Sequence, residues 1–215
     1  MGVLSVVSAL SSQSARLPCA CDVARALQGL YTLASEDGWS DPVPDNEETV
    51  TFLDQSIRLR PLRAGDRALV EDLCRRTESH DLQMRFFGGF RNLPPSLLDQ
   101  LMRIDHDRQI TLVALAAANS GQLEMLAVAR AYASADGTAE LALLVRSDLK
   151  GRGLGSLLLD RLIARCRSRR LRVLTAVVLQ QNTRMLRLAD RYGFRREPAE
   201  LGVTHLVLDL DSLAA

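Results

Sequence analysis

The sequence predicts an α/β (α+β) fold, a mixed and mostly antiparallel sheet flanked by helices. Two observations carry that prediction. Three apolar runs, Ile110 to Ala118, Met125 to Tyr132 and Ala139 to Val145, are bounded by the short turns Asn119-Ser120-Gly121 and Asp136-Gly137, the pattern of an antiparallel meander. The third run then passes through Lys150-Gly151-Arg152-Gly153-Leu154-Gly155-Ser156 into an amphipathic stretch, after which strand, helix and strand alternate. A chain of 215 residues, 47% hydrophobic, can bury one good core. A single domain of roughly 150 residues plus an extension is therefore expected.

Residues 1–55 read as an N-terminal extension. It has a Ser-rich start, a short helix from Asp22 to Leu33, and an acidic linker through Ser35-Glu36-Asp37-Gly38-Trp39 and Pro42 to Glu48. Residues 56–215 read as the folded domain. Ile57-Arg58-Leu59-Arg60 alternates as a short strand, and Pro61 ends it by removing a ladder donor. The Leu69, Val70, Leu73 stripe makes Asp66 to Arg76 a helix. Ser79 to Phe87 and Pro94 to Ile104 are two short helices on either side of Gly88-Gly89, and the Pro94-Pro95 pair suits a helix start. Beyond the meander, Leu154 to Cys166 is a helix and Val173 to Leu179 a buried strand. Asn182 to Tyr192 is a helix capped by Asn182 and stopped by Gly193, and Thr204 to Leu210 is the final strand.

Composition excludes several classes of function. A net charge of +1 argues against a general nucleic-acid or membrane-surface binder. The basic run Arg165, Arg167, Arg169, Arg170, Arg172 reads as a solvated helix end that suits the helix dipole. Cys19, Cys21, Cys74 and Cys166 lack the paired spacing of a zinc site, so no metal is expected and a reduced, cytoplasmic protein is the simplest reading. No apolar run approaches the roughly twenty residues of a membrane span. Met1 to Ala9 has no basic flank, so a signal peptide is not expected.

The glycine loop carries the functional signal. Gly151, Gly153 and Gly155 remove side chains that would keep an anion off the backbone, so amides at a helix start can point at phosphate oxygens. Lys150 and Arg152 add positive charge. A mononucleotide P-loop would end in Gly-Lys-Ser/Thr, and here Gly155-Ser156-Leu157 lacks the lysine. A dinucleotide fingerprint needs an acidic residue at the end of the next strand, which instead runs into Gln180-Gln181-Asn182. The remaining spacing, Lys150-x-x-Gly153-x-Gly155, resembles the acetyl-CoA loop of the GNAT superfamily of N-acetyltransferases, and the element order is that of the GNAT fold. More narrowly, Met84-Arg85-Phe86-Phe87, Leu93-Pro94-Pro95, Ile104-Asp105-His106-Asp107, Ala139-Glu140-Leu141-Ala142 and Leu186-Arg187-Leu188-Ala189 are similar to the GNAT domain of bacterial Pat-type protein lysine acetyltransferases.

That resemblance implies a sheet of six to seven strands, splayed where CoA lies. It implies that backbone groups of Leu143 and Val145 pair with the pantetheine arm of acetyl-CoA. Lys150, Gly151, Arg152, Gly153, Gly155 and Ser156 would hold the pyrophosphate, and Asn182 would contact the pantetheine side while also capping its helix. Acetyl-CoA is then the cosubstrate and a protein the acceptor, with the oligomeric state left open.

Acetylating a lysine requires a base. The amine has a pKa near 10.4, so presenting it deprotonated at neutral pH costs roughly 4 kcal/mol. Glu140 interrupts an apolar strand and shares a face with Ala142 and Leu144, and partial burial would raise its pKa. The resemblance independently places the family's catalytic glutamate there. A strand-edge glutamate paired with an arginine is the structural alternative. Asp105 and Asp107 are rival acids on a loop, suited to shaping the acceptor side or capping a turn. Phe86 and Phe87 read first as core aromatics and second as an acceptor-cleft wall, with Arg85 and Arg91 favouring acidic surroundings of a target lysine. Many GNAT enzymes carry a tyrosine four residues before the glycine of the last helix, where this chain has Ala189; Tyr192 falls on another face. Two other functions suit the same fold: a small-molecule amine acetyltransferase with a narrow acceptor pocket, and a CoA-responsive regulatory or binding protein with little catalysis.

Overall fold

The computed structural model describes residues 47–88, 93–105, 107–118, 120–197 and 202–211. The helix expected over Asp22 to Leu33, and the positions Arg91 and His106, lie outside them. In chain order the elements are β1 (Glu48–Phe52), β2 (Gln55–Pro61), α1 (Arg67–Arg75), α2 (Ser79–Phe86), α3 (Pro95–Leu101), β3 (Gln109–Ala117), β4 (Leu123–Ala133), β5 (Thr138–Val145), α4 (Leu154–Ser168), β6 (Val173–Leu179), α5 (Thr183–Arg191), β7 (Arg195–Glu197) and β8 (Val203–Asp209). Single 3-10 turns at Ala64–Asp66 and Ser147–Leu149 precede α1 and the glycine loop.

The strands form one sheet in the order β1-β2-β3-β4-β5-β6-β8-β7. β3, β4 and β5 are the expected antiparallel meander, and β5 pairs with β6 in parallel. The sheet has eight strands where six to seven were expected, because β1 and β7 carry weak signals. β1 lies inside the segment read as extension and pairs with β2 through the two-residue turn Leu53-Asp54. Both turn residues have positive φ, 50° and 60°, the geometry of a type I′ hairpin without the glycine that normally announces it. β7 is the wholly exposed tripeptide Arg195-Arg196-Glu197, with no apolar alternation to read.

Period-two alternation lets β3 face two cores at once. Leu112 and Ala114 pack beneath α4 with Leu154, Leu158, Leu159 and Leu162. Val113 and Leu115 pack beneath α1, α2 and α3 with Leu73, Leu82, Phe86 and Leu98. Each fully buried leucine contributes about 1.5–3 kcal/mol, so the apolar stripe of α4 holds that helix across β3, β4 and β5. The basic run at the end of α4 is only partly solvated: Arg170 and Arg172 are exposed, whereas Arg165, Arg167 and Arg169 are half-buried. Arg161 binds Glu48 of β1 through three hydrogen bonds of 2.6 to 3.2 Å, and Arg167 donates to the Leu210 carbonyl at 3.0 Å. Burial lowers the pKa of Arg165 and of Arg169. Cys74 and Cys166 are buried free thiols, pushed up to about 11 and about 12 by burial.

One buried ion pair ties the second strand to the start of the first helix. Arg60 on β2 donates to both Asp66 oxygens at 2.6 and 2.7 Å, and the Arg63 amide donates to Asp66 at 2.8 Å. Burial alone would raise the Asp66 carboxyl, but these bonds outweigh it and hold it below its ordinary value. Asp66→Ala would leave Arg60 buried without its counter-charge, so urea unfolding should show a loss of about 3–5 kcal/mol. The paired Arg60→Met, Asp66→Leu exchange should cost much less, and equal losses in the two proteins would contradict this account.

Candidate active site

β5 and β6 stay together for three register pairs only: Thr138 with Val173, Ala139 with Leu174, and Glu140 with Thr175. Beyond Glu140 the two strands part. β5 stays paired to β4 as far as Val145, and β6 to β8 as far as Leu179, so the parting leaves one unpaired edge on each strand. The direction of the free groups on β5 follows from its register. The Arg146 amide donates to Leu126 at 3.0 Å, on the β4 side, so two-residue alternation turns the N–H and C=O of Leu143 and Val145 toward the gap.

A cleft of about 880 Å³ fills the gap, lined by Glu140 to Val145 of β5, Ala176 to Val178 of β6, the glycine loop and α5. Glu140 sits at the fork. Its carboxylate takes part in no ion pair among the described residues. Burial raises its pKa above the ordinary 4.5, opposed in part by the charge of Arg85.

The glycine loop is shaped by two of its glycines and packed by the third. Gly151 and Gly153 have φ of 75° and 97°, a region that side chains disfavour. A Cβ on Gly155 would lie 3.4 Å from Leu143 and 3.6 Å from Val145, ordinary contact distances, so the first turn of α4 packs directly on β5. The first-turn amides of α4, which lack intrahelical acceptors, therefore begin at the mouth of the cleft. Arg146 anchors the strand just before the loop by binding both Asp148 oxygens at 2.7 and 3.0 Å and Glu124 at 2.8 Å.

Not every expected residue takes its expected place. Lys150 lines the cleft, but its ammonium is paired with Asp81 of α2 at 2.6 Å. Asp81 also accepts from Ser147 at 2.5 Å, so α2 is strapped to the loop. Burial would raise the Asp81 carboxyl, and Lys150 and Ser147 more than reverse this, with Arg184 adding to the lowering. Gly151, Gly153, Gly155 and Ser156 line the cleft, whereas the exposed Arg152 does not. Asn182 lines it and also caps α5, accepting from the Met185 amide at 3.1 Å.

On the acceptor side the two phenylalanines divide. Phe86 is core, with the Arg85 guanidinium 4.8 Å from its ring centre, while Phe87 lines the cleft at the left-handed end of α2. Asp105 is not at the cleft. It caps its own loop by accepting from the amides of Asp107 and Arg108, both at 3.1 Å. Ala189 is fully buried, and Tyr192 binds Asp160 at 2.7 Å and the Ser156 carbonyl at 3.0 Å outside the cleft, with burial first among the causes that push its phenol to about 12. The sequence reading passed over Arg184, Arg187 and Arg191, which also line the cleft. Their i, i+3, i+7 spacing was a readable signal of one helix face.

Comparison with known proteins agrees with this geometry. The family model described as the acetyltransferase (GNAT) family matches residues 77–194, more than half of the chain. A Pseudomonas aeruginosa protein named as an acetyltransferase is 30% identical over 172 residues, 78% of this chain and 87% of that one. The crystal structure of the GNAT domain of S. lividans PAT is similar with a TM-score of 0.67 and 26% identity, covering 76% of this chain and 96% of that chain. A Salmonella typhimurium structure described as a putative acetyltransferase with its cofactor acetyl-CoA shares the fold, with a TM-score of 0.53 and 22% identity over 74% of this chain and 96% of that one. The chain belongs to the acetyltransferase (GNAT) family and is an acetyl-CoA-dependent N-acetyltransferase.

Proposed function

We propose that this acetyltransferase acts on the ε-amine of protein lysine, by direct transfer with Glu140 as general base. The observation that carries the reading is the position of Glu140, a half-buried carboxylate free of ion pairs among the described residues, at the fork of the two strands. The scattered motifs similar to Pat-type enzymes favour a protein acceptor. So does the exposed rim of Arg184, Arg187 and Asp190, which suits a side chain presented from another protein's surface. A cytoplasmic location goes with that role.

The residues present fit acetyl-CoA. The outward groups of Leu143 and Val145 offer the pantetheine a strand edge, and the start of α4 with Gly153 and Gly155 accepts the pyrophosphate. When bound, acetyl-CoA supplies an activated acetyl carbonyl. Glu140 takes a proton from the lysine ammonium, directly or through one water, freeing the lone pair for attack. Its raised pKa makes it a stronger base than a solvated glutamate. The amide C–N bond forms as the C–S bond breaks, and the second proton of the attacking nitrogen is released to solvent. With Ala189 in the tyrosine slot, the thiolate takes its proton from solvent, a small barrier for a thiol of pKa near 8.5. Phe87 and Arg85 flank the acceptor.

Glu140→Gln should lower kcat by about 10²–10⁴-fold while CoA affinity by calorimetry is retained. Turnover equal to wild type would remove Glu140 from the base role. Because the folded carboxyl binds its proton more tightly than the unfolded one, its ionisation lowers stability as pH rises from 4.5 through the raised value. Wild type should therefore lose stability relative to Glu140→Gln across that window in thermal melts. Radiolabelled acetyl-CoA added to a host lysate with the enzyme should place hydroxylamine-stable label on discrete proteins. Label confined to small amines would instead indicate a small-molecule acceptor.

A further inference from the structure

Polar bonds that the chemical step does not use join the head of α2 to the turn before the glycine loop. Glu78, which precedes α2, makes no capping bond with its own side chain. Its amide donates instead to the Ser147 hydroxyl at 2.9 Å, and that hydroxyl donates to one Asp81 oxygen at 2.5 Å. Lys150 pairs with the other Asp81 oxygen at 2.6 Å. The turn that carries Ser147 is itself fixed. Arg146 is buried and binds Asp148 and Glu124, and Glu124 also holds Arg76, just past α1, at 2.8 Å.

We propose that Ser147 and Asp81 are positioning residues for the acceptor amine, holding α2 so that Arg85 and Phe87 stand beside Glu140 in the cleft. The inference rests on reading the α2 side of the cleft as the acceptor wall. Asp81, Met84 and Arg85 stand at i, i+3 and i+4 and all line the cleft, so fixing Asp81 fixes the helix face that carries Arg85. The charge of Arg85 is felt at Glu140, which places the two groups in each other's neighbourhood. Leu82 and Phe86 seat an adjacent side of α2 in the core. Apolar burial has no direction and tolerates small rotations and slides of a helix, whereas hydrogen bonds restrict both. A helix of only eight residues has little stability of its own with which to hold a position. Ser147 does not line the cleft, and among the described residues its hydroxyl binds α2 alone. Its removal therefore loosens the acceptor wall and leaves Glu140 and the strand edges in place.

Steady-state kinetics of the full chain with acetyl-CoA and poly-L-lysine tests this. Ser147→Ala should raise the KM for poly-L-lysine by about three- to ten-fold, because the competent position of α2 becomes a smaller fraction of the population. Its kcat and its KM for acetyl-CoA should stay within about two-fold of wild type, since a saturating acceptor draws α2 back into place. Ser147→Thr keeps the hydroxyl and should restore the wild-type acceptor KM. An unchanged poly-L-lysine KM in Ser147→Ala would overturn the positioning role. So would an equal rise in both KM values, which is the mark of a loosened loop or a damaged fold, or a threonine variant that behaves like alanine. Failure of wild type to acetylate poly-L-lysine would overturn the lysine reading of the acceptor, and this proposal with it.

Discussion

The parting of β5 from β6 is the constraint on which the rest of the site depends. A parallel pair that continued past Glu140 would satisfy every backbone group on both strands and leave a closed sheet. Parted strands expose N–H and C=O groups that are costly to bury unpaired, so the gap suits an extended polar ligand. The parting survives because each strand is secured on its other side, β5 by β4 and β6 by β8. Leu143, Val145 and Leu188 close around Gly155, so the helix that closes one end of the gap also sits tightly on its floor.

Charge is arranged around that gap in two tiers. Buried or half-buried pairs fix the frame: Arg60 with Asp66, Arg146 with Asp148 and Glu124, Lys150 with Asp81. Of these pairs Lys150 with Asp81 lies at the cleft itself, where Arg184, Arg187 and Arg191 of α5 also line the wall. Glu140 is the exception among the acids that line the cleft, held at the fork with the charge of Arg85 opposing the effect of burial. Burial therefore raises the proton affinity of this carboxylate at the point where the two strands part.

Much of the fold was legible in the sequence because its signals are local. Meander, glycine loop, α4, β6 and the Asn182 cap lie where apolar period and turn chemistry place them. β1 was not legible, since Leu53-Asp54 makes a type I′ turn without glycine, and β7 has no apolar residue. At the site, the loop glycines, Glu140 and Asn182 converge on one cleft, as their pattern suggested, whereas Asp105 caps its own loop. Phe86 and Phe87, adjacent and alike, part ways because α2 ends in a left-handed residue that turns the second ring out.

By itself the sequence determined the order of the strands and helices other than β1 and β7, the glycine loop and the isolation of one glutamate in an apolar strand, since each depends on residues a few positions apart. Only the tertiary structure decided where β5 and β6 separate, that Lys150 serves Asp81 and that Arg184, Arg187 and Arg191 line the cleft. Ion pairing is settled by whichever opposite charges the packed helices bring within about 4 Å, and sequence spacing carries no such information across separate elements.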